Sequence, residues 1–116
     1  MRVFRIKRVY DPPSRTDGWR ILVDRLWPRG ISKERAHINA WVKEAAPSTA
    51  LRIWFGHDPQ KWLSFRAKYR AELKKGRAMD EIKKMARTHA VITLVYGARD
   101  VEHNQAVVLQ ELLLKK

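Results

Sequence analysis

The stretch Val-Ile-Thr-Leu-Val-Tyr at residues 91–96 decides the fold of this chain. It is six residues long, rich in β-branched side chains and almost entirely apolar. This pattern is typical of a strand that is covered on both faces, as in a parallel sheet flanked by helices. A short link, Gly-Ala-Arg-Asp at residues 97–100, leads to a last helix predicted at 101–114, which is apolar over a wide arc. A buried strand followed by a buried helix indicates an α/β fold.

Two further strands are predicted near the start of the chain. Residues 3–10 alternate in part between apolar and polar side chains, and residues 19–26 contain an apolar run at 21–23. Segment 11–18, with two prolines and an Asp-Gly pair, forms a loop between them. Because a parallel crossover usually needs a dozen or more residues, the two strands form either a hairpin or non-adjacent members of the sheet.

Four more helices are predicted from capping and helix-breaking residues. Their predicted first caps are Ser32, Ser48, Asp58 and Asp80, and the first three helices end at Pro47, Gly56 and Gly76. The whole sequence therefore predicts one α/β domain over residues 1–116. We expect a small, at least partly parallel sheet of about three strands, flanked by about five helices.

Composition excludes several classes of protein. With 116 residues, of which 45% are hydrophobic, the chain can bury one core and is too apolar for disorder. It has no cysteine, which excludes disulfides, thiolate zinc sites and a thiol nucleophile. No apolar stretch has the length of a membrane span, and charges are spread through the first eight residues. We therefore expect a cytoplasmic protein without a membrane partner.

The positive charge is unevenly distributed. The formal net charge is +13, yet residues 91–116 hold three basic and three acidic residues, so the excess lies in residues 1–90. Such an excess favours contact with phosphates, in a small molecule or in nucleic acid, although a generally basic composition is the alternative. Basic side chains are frequent in the helices at 59–88, where Lys74, Lys75 and Lys84 are candidates for contacts with a nucleic-acid backbone.

No metal and no cofactor are predicted. The four histidines do not show metal-ligand spacing, either with one another or with a pair of carboxylates. The chain also lacks a glycine-rich phosphate loop and a nucleophile elbow.

Five segments of the chain are compositionally distinctive. They are KRVYD at 7–11, GWRILVDRLWPRG at 18–30, APS at 46–48, WFGHDPQKW at 54–62 with Phe65 and Tyr69, and YGARDVEHNQAV at 96–107. On these segments, which span nearly the whole chain, the protein resembles domain-of-unknown-function family 488, in its YeaO-like branch.

Other branches of that family have two motifs that this chain matches only in part. One is a strand that ends in Asp-Val-Arg, to which Val23-Asp24-Arg25 corresponds here. The other is a Cys-His-Arg motif at a helix start after a late strand, and here His103-Asn104-Gln105 stands in its place. Because both the cysteine and the arginine are absent, the resemblance does not carry over the thiol or redox chemistry of those branches.

Polar residues lie at the carboxyl ends of two predicted strands, those at 19–26 and 91–96. In open α/β sheets ligands bind at the carboxyl ends of strands, and a helix N-terminus there attracts anions. If the two strands are parallel neighbours, these residues meet in one cleft. The predicted anion ligands are Arg25, Arg29, Arg99, Trp27 and Asn104, and the predicted groups for proton transfer are His103 with Asp100 or Asp24.

A structural role is the alternative for each of these residues. Asp24 and Arg25 would form an internal salt bridge, Asp100 or Asn104 would cap the last helix, and Trp27 would belong to the core. His57 is a second candidate for proton transfer, but its place between two helices favours a role in the turn.

The sequence thus leaves three functions open. The first is a domain that binds a phosphorylated or nucleotide ligand in the cleft, with hydrolysis or group transfer as its reaction if it is an enzyme. The second is a non-catalytic, regulatory nucleic-acid-binding module that uses Lys74, Lys75 and Lys84. The third is a regulatory subunit whose basic face docks an acidic protein. A homodimer is compatible with all three.

Overall fold

A computed structural model of the protein describes residues 2–115 as a single α/β unit built on a parallel sheet. The four strands are β1 (Val3–Arg8), β2 (Trp19–Leu22), β3 (Ala40–Trp41) and β4 (Val91–Tyr96). Their order is β1-β4-β2-β3, and every neighbouring pair is parallel. The strand predicted at 91–96 is confirmed with its bounds and lies between β1 and β2, and the sheet has one strand more than the three expected.

Five α-helices accompany the sheet, as predicted. They are α1 (Lys33–Ala36), α2 (Thr49–Phe55), α3 (Trp62–Lys75), α4 (Ala78–Ala86) and α5 (Gln105–Leu114), with 3-10 turns at Arg15–Asp17, Lys43–Ala45 and Pro59–Lys61. None of the helices among residues 2–115 is both long and apolar enough to cross a membrane.

The first two strands are not adjacent, which settles the alternative between a hairpin and separated strands. Both pair with β4, one on each side. The connection at 9–18 needs no helix because ten extended residues reach about 33 Å, well beyond the roughly 20 Å length of a six-residue strand. It passes close over β4, where the Thr93 hydroxyl donates to the Asp17 carbonyl at 2.6 Å. Gly18, with φ of 65°, leaves no room for a Cβ, which would lie 2.3 Å from the Val91 carbonyl oxygen.

Capping residues predict α2 and α3 correctly. The Ser48 hydroxyl accepts a hydrogen bond from the Leu51 amide, and Gly56 ends α2 in the left-handed region. Asp58 accepts from the Gln60 amide at the turn before α3. Gly76 follows the last residue of α3.

The helix predicted at 32–47 is confirmed only at its start, where the Ser32 hydroxyl caps α1 by accepting from the Arg35 amide, and its extent to Pro47 is wrong. The structure has the short α1, then β3 and a 3-10 turn. The Asn39 amide donates to the Arg20 carbonyl and the Val42 amide to the Leu22 carbonyl, so this segment completes the open edge of β2. Pairing with a free strand edge overrides a helical spacing of apolar residues, which over so short a run also fits an edge strand.

Other boundaries also differ from the prediction, and the first strand ends at Arg8 rather than at residue 10. Strand β2 ends at Leu22 rather than at residue 26, and α4 begins at Ala78, two residues before Asp80. Helix α5 begins at Gln105 rather than at 101, because Asn104 is its N-cap. Residues 101–104 therefore form a bent link before the helix.

Both faces of the sheet are covered. The main core packs sheet residues such as Ile21, Ile92 and Leu94 against α2, α3, α4 and α5. A smaller core on the other face contains Leu22 and Val95. In β4, Ile92, Leu94 and Tyr96 belong to the main core and Val95 to the smaller one, so the strand is buried on both faces, which explains its apolar character.

Candidate functional site

A cavity of about 300 Å³ opens at the carboxyl edge of the sheet. Because β2 and β4 are parallel neighbours, the chain segments that leave them emerge side by side. Of the predicted site residues, six line this cavity: Asp24, Arg25, Trp27, Arg29, His103 and Asn104. Arg99 and Asp100 are not among the lining residues.

Asp24 joins the two strand ends. One carboxylate oxygen accepts from the Gly97 amide at 2.9 Å and the other from the Gln105 side-chain amide at 2.5 Å. Burial raises the pKa of Asp24 to about 6, against the lowering effects of these hydrogen bonds and of the Arg52 charge. Gly97 permits this approach without displacement, since a Cβ there would lie 2.8 Å from the Asp24 carboxylate and would require it to shift.

Arg25 does not form the alternative salt bridge with Asp24. Its Nε donates to the Pro47 carbonyl and one terminal nitrogen to the Ala46 carbonyl, both at 3.2 Å. These acceptors are neutral, so they hold the guanidinium in place without cancelling its charge.

Two more arginines lie at the cavity, Arg29 and Arg52. Both are exposed, and Arg52 is not among the residues that the sequence predicts. It comes from α2, between the buried Leu51 and Phe55, and only the way in which α2 packs brings it to the strand ends. Tyr10, also unpredicted, lines the cavity and donates from its hydroxyl to the Arg29 carbonyl at 2.7 Å.

His103 is held by Asp100 in the link before α5. Its Nδ1 lies 2.8 Å from one Asp100 carboxylate oxygen, and the other oxygen accepts from the amides of Glu102 and His103. These amide hydrogen bonds, foremost that from Glu102, and the His103 side chain lower the pKa of Asp100. The His103 ring also makes an edge contact with Trp62, with 5.2 Å between ring centroids.

Asn104 and Trp27 have structural partners although they line the cavity. The Asn104 side chain accepts from the Val107 amide, donates to the Asp100 carbonyl and is buried, so the alternative of a helix cap holds for it. The Trp27 indole donates to the Ile31 carbonyl and packs against the smaller core. Any contact of these two with a ligand stays a prediction, as does the role of the exposed Arg99.

His57 lines the same cavity from the turn between α2 and α3. Its φ of 56° places it in the left-handed region directly after Gly56, which agrees with the expected role in the turn. Among residues 2–115, no group of three or more His, Cys, Asp or Glu side chains could hold a metal ion.

The lysines of the nucleic-acid alternative lie elsewhere. Lys74 and Lys75 are in the last turn of α3 and Lys84 is in the last turn of α4, all exposed. None of the three lines the cavity.

Comparisons with known proteins give close relatives. The chain is 43% identical over 111 residues to the uncharacterised protein YeaO of Escherichia coli, and the match covers 92% of this chain and 93% of that protein. It is 39% identical over 109 residues to the uncharacterised protein Rv3073c of Mycobacterium tuberculosis, with 94% and 92% coverage. No solved structure matches the chain.

A family model described as the "Inactive DUF488-N3 subclade" matches residues 3–116. The match includes both strand ends and the whole cavity, and it agrees with the relative named YeaO. The chain belongs to the DUF488 family, in this YeaO-like subclade.

Proposed function

We propose that the cleft binds a small phosphate-bearing molecule of about the size of a mononucleotide. The observation that carries the proposal is the set of three arginines, Arg25, Arg29 and Arg52, around one cavity. Within residues 2–115 none of them forms an ion pair. Uncompensated guanidinium groups at a concave surface attract phosphate and bind it in a bidentate manner.

A second cavity provides the contrast. It has about 490 Å³ and is lined by Arg5, Lys7 and Arg8, but also by Asp11 and Asp17. Lys7 is paired with Asp17 at 3.1 Å, so part of the positive charge there is already compensated. The cleft at the strand ends has one acidic lining residue, Asp24, beside its three arginines, so its excess of positive charge is larger and it is the better anion site.

The walls of the cleft suit an organic group beside the phosphate. Phe55, Phe65 and Pro47 contribute apolar surface, and the Tyr10 ring lies at the same cavity. A volume of about 300 Å³ is at the lower end for small-molecule sites. This size favours a ligand no larger than a mononucleotide over a longer one.

We propose that the protein binds this ligand without acting as a multiple-turnover enzyme. The matched subclade is described as inactive, and the chain has no cysteine at the helix start where other branches have one. The cytoplasmic location and the possible homodimer remain predictions from the sequence.

A thermal-melting screen tests the proposal. Inorganic phosphate and nucleoside monophosphates should raise the Tm of the wild type, because a ligand that binds only the folded state stabilises it. Arg52→Gln and Arg29→Gln should lose most of the shift, whereas Arg77→Gln, an exposed arginine at the start of α4 outside the cleft, should keep it. A wild type whose Tm responds to none of these compounds contradicts the proposal.

Non-catalytic nucleic-acid binding is the second candidate. It is favoured by the exposure of Lys74, Lys75 and Lys84 on adjacent helices and by the net charge of +13. It predicts affinity that depends on these lysines and hardly on the arginines of the cleft.

A further inference from the structure

The imidazole of His103 has one nitrogen engaged and one free. Nδ1 is bonded to the Asp100 carboxylate, which does not line the cavity. In the neutral imidazole a carboxylate partner favours the tautomer that is protonated on Nδ1, which leaves the lone pair on Nε2. Within residues 2–115 Nε2 makes no hydrogen bond, and His103 itself lines the cleft.

The ring is also fixed in position. Asp100 accepts from two backbone amides, so it is a rigid partner. The edge contact with Trp62 limits rotation of the ring. A nucleophile that is already oriented loses little entropy when it reacts.

The arginines supply the remaining requirement for an attack on phosphorus. Arg25 is anchored by two carbonyls, and Arg29 and Arg52 lie around the same cavity. Positive groups that hold phosphoryl oxygens reduce the repulsion of an incoming lone pair and stabilise the transition state.

We propose that His103 Nε2 accepts one phosphoryl group from a small phosphorylated molecule bound in the cleft, which makes His103 a site of stoichiometric phosphorylation. The inference rests on the proposed function, since the arginines must first bind the donor. It requires no multiple turnover, in agreement with a subclade described as inactive.

The step balances with phosphoramidate as the donor. In its zwitterion the nitrogen already carries three hydrogens. The Nε2 lone pair forms the new N–P bond, the P–N bond of the donor breaks, and ammonia leaves with that bonding pair. The ring keeps its proton on Nδ1 and becomes cationic, and the Asp100 carboxylate compensates this charge.

The experiment is incubation of the full chain with phosphoramidate, followed by intact mass spectrometry in alkaline solution. We expect the addition of one phosphoryl group that is stable to alkali and lost in acid. Fragmentation of the wild-type peptide that contains residues 100–104 should locate the group on His103, a result that depends on no variant. No addition, or a group located on another histidine, overturns the inference.

Variants separate this inference from the proposed function. His103→Gln should abolish the addition, and the matched control His89→Gln, whose ring stacks on Trp19 outside the cleft, should leave it unchanged. Asp100→Asn should slow it by about tenfold or more, because the wrong ring nitrogen then carries the proton. A Tm shift with inorganic phosphate but no phosphorylation leaves the binding function intact and refutes only the acceptor role. Absence of both effects refutes both.

Discussion

Asp24 shows how one residue combines fold and site. It follows β2, yet its carboxylate is bonded to Gly97 after β4 and to Gln105 at the start of α5. The sequence places Asp24 at a strand end, because an apolar run stops there. It does not identify these partners, since the contact depends on β2 and β4 being neighbours, which is a property of the whole sheet.

Gly97→Ala should lower the free energy of unfolding by about 1–3 kcal/mol. The new Cβ would lie 2.8 Å from the Asp24 carboxylate and would push it away from the Gly97 amide. Urea denaturation measures the decrease. The control is Gly76→Ala, where an added Cβ has no atom within 4 Å and φ is −104°. Because alanine at an unstrained position lowers the entropy of the unfolded chain, Gly76→Ala should not lose stability. An equal decrease in both variants would contradict the assignment of the effect to Asp24.

The raised pKa of Asp24 makes stability depend on pH. Its folded value of about 6 lies above the ordinary 3.8, so the folded state holds the proton more tightly. The resulting stabilisation is fully present below pH 3.8 and is lost as the pH rises through 6. Relative to Asp24→Asn, the wild type should lose about 1–3 kcal/mol between pH 4 and pH 7. Urea denaturation of both proteins across this range tests it, and parallel curves would contradict it.

For the secondary-structure elements, the sequence predicts helix ends correctly where a capping residue marks them. Ser48, Asp58 and Gly56 hold the places that the sequence predicts, because their hydrogen bonds are made within one turn. The prediction for segment 32–47 fails for the opposite reason, since the structure of this segment is set by the free edge of β2. The place of Arg52 at the cleft could not be predicted from the sequence for the same reason, because it depends on how α2 packs against the rest of the protein.

The N-cap of α5 provides the prediction at this scale. Asn104→Ala should lower the free energy of unfolding by about 1–2 kcal/mol, because the Val107 amide and the Asp100 carbonyl lose a buried partner. Asn104→Ser, which keeps a capping oxygen, should recover part of the stability. Chemical denaturation gives both values. Equal stability of Asn104→Ala and the wild type would show that the cap does not hold the link before the helix.

For the whole molecule, the order β1-β4-β2-β3 is what creates the cleft. Parallel pairing of β2 with β4 puts Arg25 and His103 at the same edge, and this is the condition on which the predicted site depends. The sequence indicates parallel strands through the apolar character of residues 91–96. It does not indicate their order, because the ten-residue connection between β1 and β2 permits more than one arrangement.

The basic residues that the two candidate functions require lie on different parts of the molecule. The arginines of the cleft lie at the carboxyl edge of the sheet, whereas Lys74, Lys75 and Lys84 are on the outer surface of α3 and α4. A variant with all three lysines changed to glutamate should keep the Tm shift with phosphate, because no residue of the cleft is altered. If nucleic acid binds at these helices, the slope of log affinity against log salt should fall by about one for each phosphate that the variant no longer neutralises.

Titration of a DNA duplex at several salt concentrations measures that slope for the wild type and the triple variant. Arg29→Gln and Arg52→Gln serve as controls that remove positive charge at the other location. An unchanged slope in the lysine variant, together with a reduced slope in the arginine variants, would place nucleic acid in the cleft and contradict the separation of the two surfaces. A reduced slope in the lysine variant alone, together with a retained Tm shift with phosphate, would mean that one small basic domain carries two independent phosphate-binding surfaces, since none of the three lysines lines the cleft.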